Sequence, residues 1–161
     1  MYIILLSSLR IMLGKTSIIA VRVLIYLGEC QAGLCVTPRR LAGILGESPT
    51  YLAKVCRLLV KAGVLRAHKG ARGGVSLNRP TAEVTLLSVV EACQGTISGD
   101  FCLGRLELEE VCNFHRAAIE LHEAVKGVLT GWTLARLLER PHPIHSLPKE
   151  TECVLASRGA A

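Results

Sequence analysis

The sequence predicts a mainly helical fold that carries one small β-hairpin and a long helix with an apolar seam. Three observations predict it. Two hydroxyl–proline pairs, Thr37-Pro38 and Ser48-Pro49, open short helices in quick succession. A loop rich in glycine and cation, 69–74, separates two short apolar runs. Phe114, Ala117, Leu121, Val125 and Val128 then recur at coiled-coil spacing.

Residues 16–28 read as the first helix, apolar on almost every face through Ile18, Ile19, Val21, Val23, Leu24, Ile25 and Leu27. A helix of that kind is usually central and buried. Thr37 can accept from an orphan amide at the next helix start, and Pro38 stands where no amide donor is needed. That short helix, Pro38–Leu45, stops at Gly46, a natural left-handed terminator. Only Gly46-Glu47-Ser48 intervenes before a third helix, with Ser48 as its cap. Leu52, Val55, Cys56 and Leu59 fall at i, i+3, i+4 and i+7 and make its buried stripe. Thr50, Lys54, Arg57 and Lys61 occupy the other face, and Gly63 closes it.

Two short helices joined by a three-residue turn make a helix-turn-helix, a pattern many helical proteins share. The segment after it sharpens the reading. Val64–His68 and Val75–Leu77 look like strands, joined by Lys69-Gly70-Ala71-Arg72-Gly73-Gly74. A hairpin directly after the second helix is the wing of a winged helix, able to lie against phosphates or put Arg72 into a minor groove. A solvated glycine turn is the plainer alternative. The glycines match neither a P-loop nor a dinucleotide-binding fingerprint, so a nucleotide site is excluded.

Thr85 caps a fourth helix to about Cys93, with Leu86, Val89, Val90 and Cys93 on one side. Residues 95–112 are the least regular stretch. The long helix runs from about Asn113 to Leu129, and its seam exceeds what a small domain needs, so a second copy is the expected partner. A short helix resumes over Trp132–Leu138, and three prolines, charges and small residues suggest a disordered tail beyond. The layout is therefore a winged helix-turn-helix domain at 13–94, a cysteine-bearing loop at 95–112, a dimerisation helix and short terminal helix at 113–139, and a tail at 140–161.

Charge follows this layout. Residues 1–80 hold 12 Lys/Arg against Glu29 and Glu47 alone, net +10; residues 81–161 hold seven Lys/Arg against 11 acids, net −4. A basic first half suggests a polyanion partner for that half, and phosphate neutralisation is the sequence-independent part of DNA affinity. Aromatics are 4% of the chain, too few for stacking single-stranded bases. The apolar start is short and interrupted by Arg10 and Lys15, too short to span a bilayer, and it lacks the basic region of a secretion signal. With seven cysteines, an odd number, a cytoplasmic, reducing compartment is expected. No nucleophile–base motif, HExxH or CxxC occurs, and no paired carboxylates in a glycine frame, so the chain reads as a non-enzyme.

In order, Thr37-Pro38-Arg39-Arg40-Leu41-Ala42, Ser48-Pro49-Thr50-Tyr51-Leu52, Leu59-Val60-Lys61-Ala62-Gly63-Val64-Leu65, the 69–74 loop and Thr85-Leu86-Leu87-Ser88-Val89-Val90-Glu91-Ala92 resemble the Rrf-two family of bacterial regulators. These are typified by the iron–sulfur cluster regulator and the nitric-oxide-sensitive repressor. The resemblance covers about 13–139. It implies a homodimer on a palindromic operator in double-stranded DNA, with Ser48, Thr50, Tyr51, Lys54 and Arg57 facing DNA and Arg72 at the wing tip beside Lys69. Arg39 and Arg40 would touch phosphates. Family members with three cysteines between the fourth helix and the long helix hold a two-iron or four-iron cluster there. The resemblance thus implies Cys93, Cys102 and Cys112 as ligands, with His115 the fourth. Their spacing, C-x8-C-x9-C, is wider than usual in the family, and Ile18 stands where the nitric-oxide-sensitive type has an acid. A zinc site on the same donors, and a cluster-free regulator, remain open. So does an interaction adaptor that does not bind DNA. Cys30, Cys35, Cys56 and Cys153 read as structural, and His142 and His145 are not expected to be ligands.

Overall fold

The computed structural model describes residues 13–30, 33–70, 73–97 and 112–141. Six helices are described: α1 (Lys15–Glu29), α2 (Pro38–Leu45), α3 (Pro49–Lys61), α4 (Leu86–Gln94), α5 (Asn113–Gly131) and α6 (Leu134–Leu138). Strands β1 (Leu65–His68) and β2 (Gly74–Leu77) lie between α3 and α4, followed by a short 3-10 turn at Thr81–Glu83.

Local chemistry sets the helix starts. Thr37 Oγ1 accepts from the Arg40 amide at 3.2 Å, Ser48 Oγ from Tyr51 at 3.3 Å, and Thr85 Oγ1 from Ser88 at 3.2 Å. Each satisfies one of the orphan donors of a first turn. Gly46 ends α2 with φ at 69°, a left-handed conformation that glycine adopts without strain. Ala62 and Gly63 end α3, with Gly63 donating to Val60 and Val64 to Leu59, both at 3.0 Å.

The core is built around α1, whose Ile19, Val23, Leu24, Ile25 and Leu27 are buried. Leu41 and Leu45 of α2, the Leu52–Val55–Cys56–Leu59 stripe of α3 and Val89 of α4 pack into the same cluster. Roughly 25 cal/mol per Å² of apolar surface removed from water drives this assembly.

The hairpin is antiparallel, with Leu65 opposite Leu77, Arg66 opposite Ser76, Ala67 opposite Val75 and His68 opposite Gly74. Val36 adds a bridge that the sequence reading did not include: it donates to Val75 at 3.0 Å and accepts from it at 2.9 Å. The entry to α2 and the second wing strand are thus one unit. Asn78 Nδ2 and Arg79 Nη2 donate to Gly63 O (3.0 Å) and Ala62 O (3.4 Å), so the far side of the hairpin is stitched to the end of α3.

Further along, Leu86 donates to Trp132 O at 2.8 Å and Leu134 to Val84 O at 2.7 Å. These bonds fasten the end of the long helix α5 to the start of α4. The short terminal helix begins only at Leu134, because Trp132 and Thr133 are extended to make this pairing. No helix among the described residues is long and apolar enough to cross a membrane.

Candidate nucleic-acid interface

The exposed surface of α3 follows from its buried stripe. With Leu52, Val55, Cys56 and Leu59 turned inward, Thr50, Lys54, Arg57 and Lys61 stand in solvent. Arg39 and Arg40, in the first turn of α2, are exposed beside them, as is Lys69 at the start of the wing loop. Arg72, expected at the wing tip, lies outside the described residues. Ser48 is exposed, with its hydroxyl oxygen engaged as the cap of α3.

Tyr51 is placed differently from these cations. It is half-buried, and its hydroxyl donates to Thr16 Oγ1 at 3.1 Å, back toward α1. Lys15 lies 5.4 Å above the ring and reaches Glu47 Oε2 at 3.4 Å. The acid in the helix-turn-helix loop is therefore partnered, which leaves the amino end of α3 without a bare negative charge. A helix amino end free of competing acid favours an anion. Lys15 and Thr16 escaped the sequence reading because they belong to another helix; only the three-dimensional turn of α1 brings them to Tyr51.

Between α3 and the hairpin lies an open groove of about 350 Å³, lined by Ala53, Cys56, Arg57 and Val60 on one wall and by Ala67, His68 and Val75 on the other. Its floor is apolar, and Arg57 and His68 are exposed. His68 Nε2 and Ser76 Oγ hydrogen-bond across the strands at 2.8 Å, which fixes the imidazole. Burial pushes the Cys56 thiol up to about 11, so it stays protonated at neutral pH. Near the start of α2, burial and then Cys30 push the Tyr26 phenol up, against the pull of Arg40.

The expected ligand residues are only partly covered. Cys93 is half-buried in the last turn of α4; burial drives its thiol up to about 11, while a hydrogen bond with Ser17 pulls the other way. Cys112 is exposed and immediately precedes α5. His115, in the first turn of α5, is 6% exposed, and its Nδ1 has no hydrogen-bond partner. Cys102 lies outside the described residues, as do Cys153, His142 and His145. Among the described residues no three His, Cys, Asp or Glu side chains come together as a metal site.

A helix-turn-helix followed by a short hairpin, with cations along the outer face of its second helix, defines a winged-helix protein. The family whose model matches residues 13–140 is Rrf2, described as an iron-dependent transcriptional regulator. The chain belongs to this Rrf2 family and is a transcriptional regulator of that class. It is 31% identical over 135 residues to the HTH-type transcriptional regulator NsrR of Geobacillus kaustophilus, covering 81% of this chain and 92% of that one. YwgB of Bacillus subtilis strain 168 is 28% identical over 142 residues, 84% of this chain and 90% of YwgB. In fold, the chain is similar to CymR, the global cysteine regulator of B. subtilis, with a TM-score of 0.64 at 22% identity, over 78% of this chain and 95% of CymR.

Proposed function

We propose that this Rrf2 regulator acts in the cytoplasm as a homodimer on a palindromic operator and takes its signal through the segment between α4 and α5. Cys93, Cys102, Cys112 and His115 are its ligands to an iron–sulfur cluster. The observation that carries the ligand assignment is His115. An imidazole nitrogen buried without a partner is unfavourable by about 1–3 kcal/mol, and a bound metal would relieve that. His115 follows Cys112 by one helical turn, and Cys93 lies in the last turn of the helix at the other side of the segment. Thiolates with one imidazole are a recognised iron–sulfur donor set. The donor types match the chemistry of the group, while Cys93, Cys112 and His115 are not gathered into one site among the described residues.

When bound, the cluster supplies a centre that responds to oxidants, nitric oxide and iron–sulfur supply. The chain's own residues do the rest. As ligands of one cluster, Cys93 and Cys112 would tie the end of α4 to the start of α5, and α4 and α5 also pack directly on one another. On the DNA side, Thr50, Lys54 and Arg57 face the major groove, while Arg39, Arg40, Ser48 and Lys69 take phosphates and Arg72 the wing contact. Tyr51 positions the helix from behind. The groove between α3 and the wing gives one strand's sugars an apolar path beside Arg57 and His68. Dimerisation falls to α5, whose Phe114 (74% exposed), Leu121 (64%) and Val128 (61%) form an apolar face in the single protomer.

The test is anaerobic purification followed at once by a visible spectrum and by iron, sulfide and zinc analysis. The expected result is brown protein, absorbing above about 320 nm with sulfide matching iron. Colourless protein with stoichiometric zinc would replace the cluster with a zinc site on the same donors. Colourless, metal-free protein would remove the metal reading altogether and leave the winged helix with its signal elsewhere.

A further inference from the structure

The first turn of α1 touches two parts of the molecule that no local sequence signal connects. Gly14 and Ser17, one turn apart, both bond to Gln94 at the end of α4: the Gly14 amide donates to Gln94 Oε1 at 2.7 Å and the Ser17 hydroxyl at 2.6 Å. Ser17 is buried. The fit at Gly14 is close, since a Cβ there would sit 3.2 Å from Gln94 Oε1. The two residues between them face the other way. Lys15 pairs with Glu47 at 3.4 Å and lies over Tyr51, and Thr16 accepts the Tyr51 hydroxyl at 3.1 Å. Four consecutive residues thus hold the end of α4 on one side and the amino end of α3 on the other.

We infer that this turn is a mechanical bridge, in which Gln94 is a positioning residue that sets the first turn of α3 through Gly14–Ser17. The inference rests on the reading that Cys93 belongs to the signal-bearing segment and deepens it by naming the route inward. A helical turn closed by backbone hydrogen bonds moves as a unit, and Gln94 follows Cys93 directly in the chain. Displacing the end of α4 must therefore either break the two bonds to Gln94 or carry residues 14–17 with it. Carrying them moves the partners of Tyr51 and Glu47 at the place where α3 begins. Coupling of this kind is reciprocal.

The test uses the full-length, metal-free protein with hydrogen exchange resolved by residue, so it needs neither DNA nor a cluster. Gln94→Leu removes both acceptor contacts at similar volume; Gln94→Glu keeps an acceptor. The bridge predicts about tenfold faster exchange at the amides of 51–54 in Gln94→Leu, wild-type exchange at 57–61, and wild-type exchange throughout in Gln94→Glu. Unchanged exchange at 51–54 in Gln94→Leu would overturn it. If Gln94→Leu does not fold, Tyr51→Phe reads the bridge from the other end. Peptide-resolved alkylation of Cys93 by N-ethylmaleimide should then quicken several-fold while Cys56 stays slow, and an unchanged Cys93 rate would overturn it. Absence of DNA binding or of metal in the wild type would instead sink the functional reading and leave these results untouched.

Discussion

Tyr51, in the first turn of α3, donates its hydroxyl to Thr16 Oγ1 of α1 at 3.1 Å, with Lys15 above its ring. The hydroxyl of this half-buried side chain is thereby engaged within the protein. The exposed cations of α3 are Lys54, Arg57 and Lys61. The division has consequences for DNA binding that can be measured separately.

Lys54→Ala and Arg57→Ala should each weaken binding to duplex DNA. For a phosphate contact the slope of log affinity against log salt should fall by about 1. Tyr51→Phe should weaken binding with no change in slope, because it removes no charge. Fluorescence anisotropy across a salt series distinguishes the two. Wild-type affinity and slope in both alanine variants would contradict the assignment.

Gly74 has no room for a side chain: a Cβ there would lie 2.6 Å from Val36 O, inside the bridge that joins the wing to the entry of α2. Gly74→Ala should therefore lower stability by about 1–3 kcal/mol. Gly43, within α2, has nothing within 4 Å of its Cβ position, and Gly43→Ala should raise stability by about 0.5–1 kcal/mol. Urea denaturation of the pair measures both. Equal midpoints would show that the bridge is not rigid.

Much of this arrangement was legible in the sequence wherever the cause is local. Thr37-Pro38, Gly46 and Ser48-Pro49 specify their helix ends through bonds spanning three or four residues, and the stripe Leu52, Val55, Cys56 and Leu59 is a matter of helical period. The remainder depends on distant partners. Nothing near Val36 signals a bridge to Val75. Gln94 looks like any polar residue at a helix end until Gly14 and Ser17 are seen against it. Tyr51 sits at a position that reads as DNA-facing, yet Thr16, 35 residues away, holds its hydroxyl. Resemblance named His115 as a ligand; its burial and its unpartnered nitrogen emerge only from the packing of α5.

Replacing Leu121 with glutamate should separate the proposed dimer. Leu121 is 64% exposed in the protomer, so the change should leave the protomer's own fold and helix content intact. Analytical ultracentrifugation should find a dimer in the wild type and a monomer in Leu121→Glu. A variant that remains dimeric would place the subunit contact elsewhere.

Stability should fall at alkaline pH, and Cys56 should account for part of the fall. Its folded thiol is raised by burial to about 11 from an ordinary 9.0, so the folded state holds the proton more tightly than the unfolded chain. That contribution is fully present below about pH 9 and is lost as pH rises toward 11, at about 1.4 kcal/mol per pKa unit at most. The drop in Tm between pH 8 and pH 10.5 should be smaller in Cys56→Ala than in the wild type. Equal drops would show that the thiol is not held in the interior.

In the proposed regulator, a winged helix answering to the state of Cys93, Cys102, Cys112 and His115 grips DNA. This response is tested most directly on an operator selected from random duplexes by the anaerobically purified protein. Affinity for that duplex is measured before and after a chelator strips the metal. Kd should change at least tenfold on stripping, with the fold intact by circular dichroism, and should not change so in His115→Ala. Identical affinity in the loaded and stripped wild-type protein would contradict it.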